Sequence, residues 1–418
     1  MSVVSLQDAL GALPKQSAQH QRDAAATLAE VGFPGKRTER WKYTPSKPFE
    51  AFALLALARE ATSLQRMPTD LPSEWVQAVQ PHWQLVLIDG VVSEAHTKLP
   101  EAVELQRRIE ALPVTAHADN ALLLLNRAIP GSTCTLRIPN AVQIIEPVHV
   151  LHVASAESVL AQTQIRVDCQ PGSRVHLVEH IISSAEVMHN LALQIDLESA
   201  AQCQHTRLQT TSPDALISTR IDAQVAENAR FETLSIDTGG DLVRNDLNIS
   251  LAGEQAHATL NGVYLLDGKQ HVDNHTLVRH NSPNTTSSED YRGVLRARSR
   301  AIFNGKVYVA KGADGTDASQ SNRNLLLSDH AEIDTKPELE IYADDVKCAH
   351  GATVGQFDDD ALFYLRSRGV DHATATQLLT FAFCREALTD IDDSVLRAYC
   401  DAMIAEQIPD FTALDAEL

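Results

Sequence analysis

Gly172–His180 reads GSRVHLVEH, a small-residue turn followed by alternating apolar and polar residues. The same phrase returns as Ala200–Gln209 (AAQCQHTRLQ), Asn228–Ile236 (NARFETLSI), Gln255–Tyr264 (QAHATLNGVY), Arg298–Val307 (RSRAIFNGKV) and Asp329–Leu339 (DHAEIDTKPEL). Anchored at Val175, Cys203, Phe231, Ala258, Ala301 and Ala331, the copies are spaced 28, 28, 27, 43 and 30 residues apart. A period of two marks a strand with two unlike faces. A fixed repeat of this length, built from strands alone, marks a solenoid: no rung can bury its apolar face alone, and stacking makes the core continuous. A β-sandwich also has many short strands, but sandwich strands rarely share one turn signature. The spacing of 43 is read as one period plus a loop insertion of about 15 residues in the polar stretch Gly268–Thr286.

Outward from the repeat the texture changes. Val148–His152, Gln164–Asp168 and Leu191–Leu197 also alternate. Upstream, alanine-rich Gln21–Val31 reads as a helix stopped by Gly32 and Pro34, and a second helix runs from Phe49 to about Arg66. Trp83–Val92 reads as a buried strand and turn, and Glu101–Leu112 and Asn120–Ala128 as further helices. Downstream, Asp358–Asp360 cap a short helix, Ala361–Arg368, that Gly369 closes. Ala373–Leu388 and Asp392–Gln407 are amphipathic helices, the latter capped by Asp393 or Ser394. The expected division is a mainly helical domain over 1–130, a β-solenoid over 131–356 and a helical domain over 357–418.

Composition narrows the function. A net charge of −20 disfavours nucleic acid and anionic membrane surfaces as partners. No window reaches the length of apolar sequence that a membrane span needs, and Met1–Leu13 lacks the pattern of a secretory signal. Six cysteines without disulfide or zinc-finger rhythm fit a reducing cytoplasm. Signatures of acyl transfer, phosphate-loop, dinucleotide and zinc-protease chemistry are all missing, so no independent enzyme activity is expected.

The densest candidate for chemistry is Asp344–Gly355, DDVKCAHGATVG. Cys348 and His350 are two apart, so in a strand they share a face, and a thiolate with an imidazole suits a soft or borderline metal. Two ligands do not close a site, and a buried cysteine beside a hydrogen-bonded histidine is the plainer reading. His271, His275 and His280 in the supposed insertion are either a metal-binding or a merely solvated group. Cys169, Cys203, Cys384 and Cys400 read as buried thiols. Tyr43, in Glu39–Thr44 (ERWKYT), reads as part of an aromatic plug between the N-terminal helices and the solenoid.

Five motifs in order resemble the SufB/SufD family of iron–sulfur cluster assembly proteins: Phe303–Val309 (FNGKVYV), Ser319–Ser328 (SQSNRNLLLS), Asp334–Ile341 (DTKPELEI), Asp344–Gly355 and Leu362–Gly369 (LFYLRSRG). Ile138–His152 resembles the family's first β-helical strands, and Arg40–Pro45 an N-terminal element of its SufD branch. The SufB branch carries a cysteine soon after the Gln of the SQ motif and acids flanking the later histidine. Here Ser319–Asn324 has no cysteine, and His350 lies between Ala349 and Gly351, which points to the SufD branch. The resemblance implies a right-handed parallel β-helix, mainly β, flanked by helical domains. It also implies a complex with SufB, paired through the β-helix, and with the ATPase SufC, docked on the C-terminal helices around Leu379, Phe383 and Leu388. His350, with Cys348 beside it, would serve a transient iron–sulfur cluster shared with SufB. No tightly bound cofactor is expected on the isolated chain, the sequence assigns no flavin, and a homodimer is an alternative state when the chain stands alone. A carbohydrate-active β-helix enzyme would instead need paired carboxylates, for which Asp168, Glu179, Glu232 and Asp237 are the candidates. A homodimeric metal-binding protein is the third reading.

Overall fold

The computed structural model describes residues 10, 18–60, 82–107, 118–129, 131–154, 157–389, 391 and 393–411. Two parallel sheets dominate it, stacked as the two walls of a solenoid of about eight turns. One wall is built from β1 (Trp83–Ile88), β2 (Val91–Val92) and the odd strands β5 (Val148–Ala154), β7 (Arg174–Ser183), β9 (Gln202–Thr211), β11 (Arg230–Asp237), β13 (His257–Leu266), β15 (Thr286–Leu295), β17 (Thr316–Leu326) and β19 (Val346–Gly355). The other is built from β3 (Glu104–Gln106) and the even strands β4 (Ser132–Ile138), β6 (Leu160–Cys169), β8 (Met188–Leu197), β10 (Leu216–Val225), β12 (Leu242–Leu251), β14 (His271–His280), β16 (Arg300–Val309) and β18 (Glu332–Ile341).

The register turns the repeat into columns. Val175, Cys203, Phe231, Ala258, Ser287, Ala318 and Cys348 pair successively along one wall, all facing the axis. The turn that precedes each strand has its own column: Gly172, Ala200, Asn228, Gln255, Asn284 and Gly315 all have positive φ. From Gly172 to Gly315, each of these donates its backbone N–H to a carbonyl of the following turn of the solenoid. That conformation favours the Gly and Asn of the column, at Gly172, Asn228, Asn284 and Gly315; Ala200 and Gln255 adopt it as well.

The spacing of 43 has a different cause from the one expected. Ala301 and Ala331 sit in or beside β16 and β18, on the wall opposite the first four anchors, so 43 residues are one and a half turns. Gly268–Thr286 contains no insertion loop; it contains β14, and β15 begins at Thr286. These two strands escaped the period-two reading because their axis-facing positions include Asn274, Thr276, His280 and Glu289, which are polar yet buried. Glu101–Leu112 also departs from expectation. Its described part contains β3, which pairs antiparallel with β4 through Leu105 and Leu136; residues 108–112 lie outside the described residues.

Helices cover the outer faces. α1 (Gln19–Val31), α2 (Lys47–Glu60) and α3 (Ala121–Ala128) bury Leu28, Phe49, Phe52 and Leu125 against Leu160, Met188, Leu216 and Leu242 of the even wall. The expected extension of the second helix to Arg66 lies outside the described residues. α4 (Asp359–Ser367), α5 (His372–Arg385) and α6 (Ser394–Glu406) follow the solenoid. Asp358, Asp371 and Asp393 cap them, each accepting from a first-turn N–H. α5 and α6 cover Val178, Leu208, Ile236, Val263 and Val294 of the odd wall.

The two ends of the solenoid differ. At the N-terminal end the outermost pairings, β1–β2 and β3–β4, are antiparallel. At the C-terminal end β18 and β19 are the last strands of their sheets, with no strand pairing beyond them among the described residues.

Candidate functional site

β19 forms the rim of that open end. Its register sets Cys348 on Ala318 and His350 on Gln320. Cys348 packs with Val307, Ala318 and Leu339 around the axis. His350, two residues along, therefore faces the axis as well; it is exposed because no described strand continues the wall beyond it. Burial, reinforced by Asp317, pushes the Cys348 thiol up, so near neutral pH it is a thiol and not a pre-activated thiolate. Among the described residues no group of three or more His, Cys, Asp or Glu could hold a metal ion. Among the described residues the mouth thus presents one sulfur and one imidazole on one face of β19, at a strand edge that no other described strand pairs and that can accept another chain.

The remaining candidates have structural partners. His271 and His275 face outward on β14, where His271 bonds Thr44 and His275 bonds Asp273; His280 faces inward and bonds Thr285 and Ser287. Burial holds His271 and His280 down at about 4, so both are neutral at pH 7. Cys169 and Cys203 are buried at the axis, and the Cys203 thiol is pushed well up by its hydrogen bond with Cys169 and by burial. Cys384 and Cys400 lie in the core under α5 and α6, each pushed up to about 12 by burial.

Leu388 is 1% exposed and Phe383 half-buried against the odd wall, where Arg292 donates to the Phe383 carbonyl and lies over its ring. Leu379 is half-buried. The large apolar side chains that the described C-terminal helices leave exposed are elsewhere, at Phe363 (72% exposed) and Tyr364 (59%, with Arg368 over its ring) on α4 and at Val395 on α6. A short helix with no buried residue makes these two aromatics hard to see in a hydrophobic pattern.

The four carboxylates of the carbohydrate reading do not meet. Glu179 and Asp237 are buried inside the solenoid, with His152 and His205 on Glu179 and Arg207 on Asp237. Asp168 and Glu232 lie on opposite outer walls. A cavity of about 510 Å³ between the odd wall and the C-terminal segment has, among the described residues that line it, Glu232 as its one carboxylate.

Two sites escaped the sequence reading. Arg244 is fully buried on the outer face of β12, bonded to Asp246, Asp273 and the Arg40 carbonyl, with the Trp41 ring 4.6 Å away. It is the anchor on which the ERWKYT segment sits. The second is Glu289, buried on the axis, which accepts from Thr276 and Gln320 and is pushed up to about 7 by burial. A carboxyl with a raised native pKa favours folding below its unfolded pKa, and that contribution is lost as pH rises through the native one. Glu289→Gln is therefore expected to stabilise the chain by up to about 3 kcal/mol at pH 8 and to change little below pH 4.5, read as urea midpoints. An equal midpoint shift at both pH values would refute this.

Residues 152–383 match the family model described as SUF system FeS cluster assembly, SufBD core domain. Among curated proteins, the chain is 30% identical over 405 residues to the iron-sulfur cluster assembly protein SufD of Escherichia coli (strain K12), covering 94% of each. It is 29% identical to an iron-sulfur cluster assembly SufBD family protein of Synechocystis sp., covering 89% of this chain and 86% of that one. Protein ABCI7, chloroplastic, of Arabidopsis thaliana is 25% identical, with 94% and 87% covered.

Proposed function

The chain belongs to the SufB/SufD family as a SufD-like subunit of SUF iron–sulfur cluster assembly, and from that premise we propose that it is a scaffold half without independent turnover, acting in the cytoplasm. Its partner across the solenoid mouth is SufB, and nascent clusters form between the two as shared, transient cargo. The observation that carries this reading is the open rim at β18 and β19, where His350 and Cys348 face the axis under an unpaired edge. One thiol and one imidazole cannot saturate iron, so a partner supplies the remaining ligands. Co-expression with SufB and SufC tests the assignment: a stable complex of the three is expected, and a chain that elutes alone would refute it. The purified chain by itself is expected to hydrolyse no ATP and to be isolated without a stoichiometric cluster.

SufC docks on the C-terminal helices. With Leu388 and Phe383 turned toward the solenoid, the contact falls on the exposed face of α4, at Phe363 and Tyr364. Phe363→Asp, at an exposed position, is expected to weaken SufC capture about 30-fold with an unchanged circular dichroism spectrum. Leu379→Asp disturbs a half-buried side chain and is expected to weaken capture less. Full capture by Phe363→Asp would remove α4 from the interface.

A further inference from the structure

Beneath the mouth, one axial column reads Leu260, Glu289, Gln320 and His350 in successive turns. Glu289 and Gln320 are both 3% exposed. Glu289 Oε2 accepts from Thr276 Oγ1 at 2.8 Å and from Gln320 Nε2 at 3.0 Å. Gly305 on the opposite wall leaves room for this arrangement, because a Cβ there would collide with the Gln320 amide. A primary amide has a donor side and an acceptor side, so the Glu289 carboxyl, by holding Nε2, also sets the direction of Oε1. Gln320 Oε1 is buried and has no hydrogen-bond partner. A buried acceptor in that condition calls for a donor, and the residue in register one turn above is His350.

Building on the reading of His350 as the imidazole of the assembly site, we propose that Gln320, held by Glu289, is a positioning residue: its Oε1 accepts one imidazole N–H of His350. Neighbouring strands lie about 4.8 Å apart, within reach of a glutamine and a histidine stacked in register. The bond selects one ring tautomer and leaves the other nitrogen, as a lone-pair donor, directed to the mouth. Burial brings the Glu289 carboxyl to about 7. Oε2 keeps both donors whether or not Oε1 carries the proton, so the orientation of Gln320 survives a change of protonation. Glu289 thus acts on His350 only through Gln320.

The test uses the whole chain labelled with ¹⁵N-histidine, the His350 ring signals being identified by their loss in His350→Ala. One neutral tautomer of His350 is expected to dominate in the native chain and in Glu289→Gln, which retains an acceptor for Gln320 and Thr276. Gln320→Met and Glu289→Leu are expected to return the ring to the mixture of free imidazole. In cells, Gln320→Met is expected to lower cluster assembly about tenfold at unchanged complex yield. Ring signals that do not move in folded Gln320→Met overturn the inference, whether or not Glu289→Leu folds. If the ring signals move as expected while both Gln320→Met and His350→Ala assemble clusters normally, the role given to His350 falls and the hydrogen bond stands.

Discussion

His350→Ala is expected to cut iron–sulfur enzyme activity at least tenfold in a strain that depends on this chain for SUF assembly, while the abundance of the complex stays at its native level. Cys348→Ala is expected to change activity less than about twofold, since SufB thiolates can replace one sulfur ligand but supply no imidazole. The contrast follows from where the two side chains sit. Cys348 is half-buried among Val307, Ala318 and Leu339, with its thiol pushed up, whereas His350 is exposed at the rim. Removing an exposed side chain at the rim costs the fold little, because water can enter and replace its N–H on Gln320, so the complex should persist. A histidine with only a structural hydrogen bond forecasts differently: a loss of about 1–3 kcal/mol, with complex yield and activity falling together. Measuring both in one strain separates the outcomes, and normal assembly in His350→Ala would refute the functional reading.

Arg244→Met is expected to destabilise the chain by about 3–5 kcal/mol, the scale for removing one partner of a buried ion pair. Arg244 is 1% exposed and bonds Asp246 and Asp273, and Asp273 itself is buried. Both carboxyls are held well below the ordinary range, with burial opposing the shift and Arg244 and its neighbours prevailing. A depressed carboxyl contributes stability above its unfolded pKa of about 4, and that contribution is lost as pH falls through the native value. The native chain should therefore lose stability below about pH 4, and Arg244→Met should show much less of that dependence because its loss is already present at pH 7. The Trp41 ring loses its cation, and the Arg40 carbonyl loses its donor. Limited proteolysis at neutral pH should then cut near residues 39–46 before the solenoid is degraded, and equal resistance in both forms would refute the anchoring role.

A repeated turn-and-alternation phrase was enough to determine the solenoid, because the left-handed turn residue and the period of two are properties of local backbone geometry. The turns at Gly172, Ala200 and Asn228 could be read as small-residue breaks before alternating strands without knowing their neighbours. Family membership was legible for a related reason: motifs such as DDVKCAHGATVG are contiguous in the chain. Polar strands hid the count of turns. In β14 and β15 the inward phase is carried partly by Asn274, Thr276 and Glu289, which bond Asn245, each other and Gln320 on neighbouring strands. Folding joins Arg40 to Asp246, Thr44 to Asp273 and Glu289 to Gln320 across 206, 229 and 31 residues. No spacing rule encodes such pairs, since each depends on which turns stack and on which wall a segment lies. Tertiary structure alone decided that Leu388 faces the solenoid, that Phe363 faces solvent, and that His350 stands at the rim in register with Gln320, because exposure is set by what packs over a residue and not by the residue itself.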